Sequence, residues 1–129
     1  DKTHLPLTWD SGEETFGLKY NFAFDKILKL GLFSDALFEK EVDYCLSKAE
    51  RYGVPLDNRK MYTKSAWLMW EARLTDDMEK RKRLIAMLDD FLRTSPNRIA
   101  FSDWYETVDG AYHAFKARSV QGGCFILLM

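Results

Sequence analysis

Three cations stand where helix electrostatics disfavours them. Lys19 in Gly17-Leu18-Lys19-Tyr20-Asn21, Lys64 in Tyr62-Thr63-Lys64-Ser65-Ala66 and Arg118 in Ala117-Arg118-Ser119-Val120 each open a helix-like apolar run. A helix N-terminus carries roughly half a positive charge, so a Lys or Arg there costs about 0.3–1 kcal/mol. Ahead of each cation lies a segment rich in Trp, Tyr, Asp and Ser, the residue types that line ligand pockets. If the three starts converge on one side of the fold, they form a cationic, aromatic pocket for an anionic or amide-bearing small ligand.

A guanidinium grips a carboxylate bidentately and an ammonium adds a point charge, which makes Arg118 and Lys64 the leading substrate contacts, with Lys19 behind them. The plainer alternative is that they snorkel to solvent or pair with loop acids. Trp104, Tyr105, Tyr62 and Arg59 complete the expected substrate-binding set. Asp103 and Asp57 are the candidate catalytic carboxylates, each in a loop above a helix start, where an acid or base could work. Trp104 and Tyr105 flank Asp103 and would desolvate it, raising its pKa into a useful range. Asp57, followed by Asn58 and Arg59, could equally be a turn with a local ion pair. A covalent route would use the hydroxyl of Thr63, Ser65 or Ser119, each beside a cation; Thr63 and Ser119 also read as helix N-caps. His4 and His113 lie too far apart to suggest a metal pair, and His113 reads as a surface residue of a hairpin. No metal or cofactor motif is present, and Gly122-Gly123 within an apolar run reads as a close helix-packing site.

These residues must be positioned by helices. Apolar residues recur with a 3.6-residue period from Leu18 to Leu30, ended by Gly31, and again along Phe38, Val42, Cys45, Leu46, Ala49 and Tyr52 after the cap Ser34. Thr63 is expected to cap a helix running to about Leu74 that is apolar on nearly every side and therefore buried, with Trp67, Met69 and Trp70 in the core. Asp76 and Asp77 open an amphipathic helix ending near Ser95-Pro96. In the following loop, Tyr105–Val108 and Ala111–Phe115 around Asp109-Gly110 predict a small β-hairpin on a type I′ turn. A last apolar helix starts at Ser119. Amphipathic helices thus alternate with apolar ones, the cations being spaced 45 and 54 residues apart, an inner-and-outer repeat of the α/α-toroid kind.

The chain has 129 residues and a net charge of −1, with 47% hydrophobic, 15% aromatic and 30% charged residues. That is one domain, large enough to bury about two-thirds of its unfolded surface. Basic residues are balanced locally by acids, which argues against a nucleic-acid surface. No uninterrupted apolar run is long enough to span a membrane. Cys45 and Cys124 lie in apolar runs and read as buried free thiols. The chain begins at Asp1 and stops within Cys124-Phe125-Ile126-Leu127-Leu128-Met129, as a piece of a longer protein would. So few hairpins cannot close a ring, so exposed apolar edges and self-association are expected.

Several stretches carry a family likeness. Tyr52-Gly53-Val54-Pro55-Leu56-Asp57-Asn58-Arg59, Tyr62-Thr63-Lys64-Ser65, Phe101-Ser102-Asp103-Trp104-Tyr105 and Ala117-Arg118-Ser119-Val120-Gln121-Gly122-Gly123, with Lys19-Tyr20-Asn21 and Asp25-Lys26, resemble the C-terminal part of the glutaminase A family. The resemblance runs from about Thr15 in the right order. It implies an all-α, six-hairpin toroid akin to that of many glycoside hydrolases, of which residues 1–129 would be a C-terminal fragment, inactive alone. It implies hydrolysis of L-glutamine to L-glutamate and ammonia by a secreted or periplasmic protein. Ala66 departs from the pattern, which has an acidic residue there, and this puts the strength or direction of activity in question. Two other functions fit the residues: a glycoside hydrolase using Asp57 and Asp103 as paired carboxylates, or a non-catalytic module binding protein or glycan through Trp104, Tyr105 and exposed helix edges.

Overall fold

In the computed structural model, which describes residues 2–129, Asp25 shapes the first helical unit. A 3₁₀ turn, Tyr20–Phe22, runs into α1, Ala23–Leu28. The Asp25 carboxylate accepts the backbone N–H groups of Leu32 (3.0 Å) and Phe33 (2.9 Å), folding the chain back over the helix end. The helix therefore stops at Lys29, which adopts a left-handed conformation at φ 53°, two residues before the expected Gly31.

Ser34 caps α2, Asp35–Ser47, by accepting the Leu37 N–H at 3.2 Å. Phe38, Val42, Cys45 and Leu46 form its buried stripe, as their spacing predicts. The stripe's expected continuation to Tyr52 is not helical. Tyr52 instead donates its N–H to Thr107 O at 2.8 Å and is buried from that turn.

The next segment corrects two expectations. Tyr62–Lys64 is a strand, β1, paired antiparallel with β2, Trp104–Glu106, with Thr63 opposite Tyr105 and Lys64 opposite Trp104. Thr63 is not a helix cap: its side chain points inward from the strand, and Lys64 holds the cap position of α3, Ser65–Ala72. The expected hairpin on Asp109-Gly110 survives only as a Tyr105–Tyr112 bridge. A type I′ turn needs positive φ at both central residues. Only Gly110 has one (φ 74°), and its N–H bonds back to Glu106 O, so the chain closes through a wider loop.

α3 occupies the centre, with α4, Met78–Thr94, returning against it after the Asp77 cap. The Asp77 carboxylate accepts the N–H groups of Glu79 and Lys80. A C-terminal 3₁₀ helix, Ser119–Leu128, lies along α3. Trp70 Nε1 donates to Gly123 O at 2.8 Å, and a Cβ on Gly123 would come within 2.9 Å of Ala66 Cβ. Close packing thus holds at Gly123, whereas Gly122 faces open space. The core gathers Val42 of α2, Leu84 and Phe91 of α4, Tyr105 of β2 and the loop residues Val54 and Leu74 around Leu68 of α3. The architecture is mainly helical with one two-stranded sheet, in keeping with helical hairpins. Phe125, Leu128 and Met129 remain exposed on the C-terminal helix. Among the described residues, no helix is long and apolar enough to cross a membrane.

Candidate functional site

Each of the three cations stands at the cap position of a helical segment: Lys19 before the Tyr20–Phe22 turn, Lys64 before α3 and Arg118 before the C-terminal helix. Two of them converge. Lys19 and Lys64 line a cleft of about 420 Å³ together with Tyr20, Asp57, Arg59, Tyr62, Trp67 and Trp104. Strand register aims this set: along β2 the residues alternate, so Trp104 faces the cleft while Tyr105 faces the core.

Lys64 makes no ion pair with any described residue; its ammonium sits 4.7 Å from the Trp67 ring centroid and 5.2 Å from that of Trp104. Such contacts leave the cation's charge uncompensated while removing part of its water. Tyr20 stacks on Trp67 at 3.8 Å, and Tyr62 meets Trp104 edge-on at 4.9 Å, so aromatic faces wall the cleft on two sides. Lys19 is half-buried and donates to Pro6 O at 2.8 Å. Burial lowers its pKa, an effect partly offset by the nearby carboxyls of Glu41 and Glu71.

Asp57 and Arg59 also line the cleft, but as partners. The guanidinium donates to both Asp57 oxygens, at 3.0 and 2.7 Å, and the Arg59 N–H adds a third bond. Those bonds hold the Asp57 carboxyl below the usual carboxylate range, so it stays ionised and cannot serve as a proton donor at neutral pH. The turn with a local ion pair is what forms.

The remaining predicted residues lie elsewhere. Asp103 is almost fully buried and paired bidentately with Arg118, whose Nε donates at 3.0 Å. The guanidinium also stacks over Phe115 at 3.8 Å, and Phe115 in turn stacks on Trp104. Neither Asp103 nor Arg118 lines the cleft. Arg118 reaches it only through the aromatic ring it supports. Tyr105 is fully buried, stacked on Phe91 at 3.6 Å, and burial pushes its hydroxyl pKa far up; it is a core residue and not a substrate contact. Thr63 Oγ1 is buried without a partner, and Ser65 is fully buried too, so neither hydroxyl reaches the cleft. His113 is half-buried against Tyr62 and Trp104 rather than on the open surface. Cys45 and Cys124 are free thiols, the first buried and the second half-buried, and burial raises the pKa of each. Among the described residues, no group of His, Cys, Asp and Glu is arranged to hold a metal ion.

Trp67 and Tyr20 wall the cleft although the sequence pattern does not single them out as site residues. Trp67, assigned to the core, is only partly buried and forms a cleft wall. Its signal was present: it stands three residues after Lys64, the helical spacing that places side chains on one face. Tyr20, adjacent to Lys19, falls on the apolar stripe of its segment, so periodicity alone places it in the core.

The comparisons with known proteins agree with one another. Residues 1–128 match the family model described as the glutaminase A six helical-hairpin domain. The chain is 35% identical to glutaminase A of Aspergillus oryzae over 129 residues, which is 98% of this chain and 18% of that protein. A probable glutaminase of Arthroderma benhamiae is 29% identical over 103 residues, 78% of this chain and 12% of the relative. The chain thus spans less than a fifth of these curated relatives. No solved structure matches it. With nearly every residue of its sequence matched to the six helical-hairpin domain, the chain belongs to the glutaminase A family.

Proposed function

We propose that the cleft between Lys19 and Lys64 binds the amide substrate of a glutaminase, which converts L-glutamine and water to L-glutamate and ammonia. In this reading the chain is the C-terminal part of a larger α/α toroid and supplies substrate-binding loops to it. The observation that carries the reading is Lys64, a cation with no carboxylate partner held between two tryptophan faces in a cleft of amino-acid size. A substrate α-carboxylate would supply the missing counter-charge, in surroundings where the rings exclude water and strengthen the attraction. Lys19 adds a second, weaker positive pole. Tyr62 and Arg59 border the bound ligand, while Asp103 and Arg118 hold Trp104 in place through Phe115.

The acid and base of the reaction then come from hairpins outside this chain, because Asp57 is kept ionised by Arg59 and Asp103 is engaged by Arg118. The same two pairings disfavour a glycosidase, which needs one carboxyl kept protonated near its partner. The resemblance implies an acidic residue at the position of Ala66; here Ala66 packs close to Gly123, so a carboxylate there would crowd the C-terminal helix. The test is glutamine kinetics of the full-length enzyme carrying Lys64→Met. A KM raised about tenfold, the effect of losing about 1.4 kcal/mol of binding, is expected, with kcat changed less. An unchanged KM would remove the cleft from the substrate path.

A further inference from the structure

α3 is apolar nearly throughout, yet Glu71, two turns on from Lys64, is only 1% exposed. Its Oε2 has no hydrogen-bond partner among the described residues. A buried polar atom left unpaired costs about 1–3 kcal/mol, and more when the group is charged. The carboxyl faces a cavity of about 10 Å³ beneath Gly17 and Leu18, whose other walls include Glu41 and Cys45. That volume is at the threshold for one water molecule, and the walls are polar enough to hold one. Gly17 and Leu18 also line the cleft above, so one short stretch of backbone separates cavity from cleft.

We propose that Glu71 is a positioning residue for the cleft: one water shared between Glu71 and Glu41, with the Lys19 backbone N–H directed at the same Glu71 carboxyl, holds the Gly17–Lys19 segment that forms the cleft's edge. The surrounding charges are consistent with a pair that shares one proton. From the segment above, the Lys19 N–H and ammonium favour the ionised form of Glu71. From α2, Glu41 opposes it, while Tyr44 and the neutral thiol of Cys45 face the same cavity. From the N-terminal segment, Leu5 donates its N–H to Glu41 at 2.6 Å and His4 lies close enough to favour that residue's charge. Burial dominates for both carboxyls and pushes Glu71 up to about 8. At neutral pH Glu71 therefore carries the proton, with the Glu41 carboxyl across the cavity from it. The water is then offered a donor on one side and an acceptor on the other.

The proposal rests on the cleft reading only for its effect on ligand binding, so its test uses none. In the full-length enzyme labelled with ¹⁵N-lysine, the ¹⁵N–¹H signal of the Lys19 amide is followed from pH 5 to 10. The expected result is a titration with a midpoint near 8 that vanishes in Glu71→Gln. A second variant, Glu41→Gln, keeps Glu71 and is expected to lower that midpoint, because a like charge has been removed. It also carries the test if Glu71→Gln does not fold. A flat Lys19 signal in the wild type, a titration that persists in Glu71→Gln, or a midpoint unmoved in Glu41→Gln overturns the proposal. So does a high-resolution crystal structure with no water within hydrogen-bond distance of Glu71 Oε2. Binding of L-glutamate to the cleft, measured separately by calorimetry on the full-length enzyme, decides the cleft reading independently.

Discussion

Arg118 and Lys64 begin from the same local chemistry and end in opposite states. Each is a cation at a helix start with aromatic rings beside it. At the Arg118 junction a buried carboxylate lies within reach, and the charge is consumed in tying the C-terminal helix to the loop before β2. At the Lys64 cleft the ammonium lies over two tryptophan rings and makes no ion pair with any described residue. The same contrast divides the carboxyls: Asp57 and Asp103 are locked to arginines, whereas Glu71 is buried with one oxygen unpaired beneath the cleft's edge. What decides whether a charged residue is neutralised here is whether the fold brings it a partner, not its position along a helix.

The contrast can be broken first at the junction. Replacing Asp103 by Ala removes the buried end of the pair and lets Arg118, about a third exposed, turn to solvent; the loss expected in urea denaturation is about 1.5–3 kcal/mol, that of the charge-assisted hydrogen bonds. A loss below about 0.5 kcal/mol would show the junction to be no more structural than the cleft.

Lys64→Met sharpens the other side. It is expected to change unfolding free energy by no more than about 0.5 kcal/mol, as for most surface positions, while weakening substrate binding about tenfold in the full-length enzyme. Arg118→Met should do the reverse, costing stability first and affinity only through movement of Trp104. Interchanged results would reverse the assignment of the two cations.

Stability against pH separates the unpaired Glu71 from the paired acids. The native state keeps a Glu71 proton that the unfolded chain releases near 4.5, so this contribution is complete below about pH 4.5 and is lost as the pH rises through about 8. Unfolding of the wild type and of Glu71→Gln, compared between pH 5 and 9, should differ in slope. Asp57 works in the opposite direction: its pKa is lowered from 3.8, so its stabilising pair is present above that value and fades as the pH falls further. Arg59→Gln should remove this smaller acid-side loss.

The last expected effect is association of the chain alone. Phe125, Leu128 and Met129 are 68%, 83% and 76% exposed, and sedimentation velocity should show concentration-dependent self-association weakened by Phe125→Ser. A single monomeric species at every concentration would mean that this edge needs no cover.

Much of the helical frame was legible because its signals are local. Ser34 and Asp77 cap the helices they precede, and the spacing of Phe38, Val42, Cys45 and Leu46 marks the buried face of α2. The cap positions expected for Thr63 and Ser119 are held by Lys64 and Arg118, but that these two cations and Lys19 stand near helix starts was legible for the same reason. The strand pair was not, since Tyr62–Lys64 meets Trp104–Glu106 across some forty residues of chain, and nothing in either triplet states its partner. That pairing removed Thr63 from its expected cap, turned Tyr105 into the core and pointed Trp104 outward, because a strand alternates its side chains and a helix cap does not.

By itself, the sequence determined which segments are helical, where most of them start and which residue types could carry charge to a ligand. These depend on neighbours three or four residues away, within reach of propensity, capping and periodicity. Only the tertiary structure decided that Arg118 is spent on Asp103 while Lys64 is left facing two tryptophans, and that Glu71 lies buried under the cleft instead of on a surface. Those outcomes depend on which distant groups share a few cubic ångströms, and the strength of a charge there is set by burial and by partners that come from other parts of the chain.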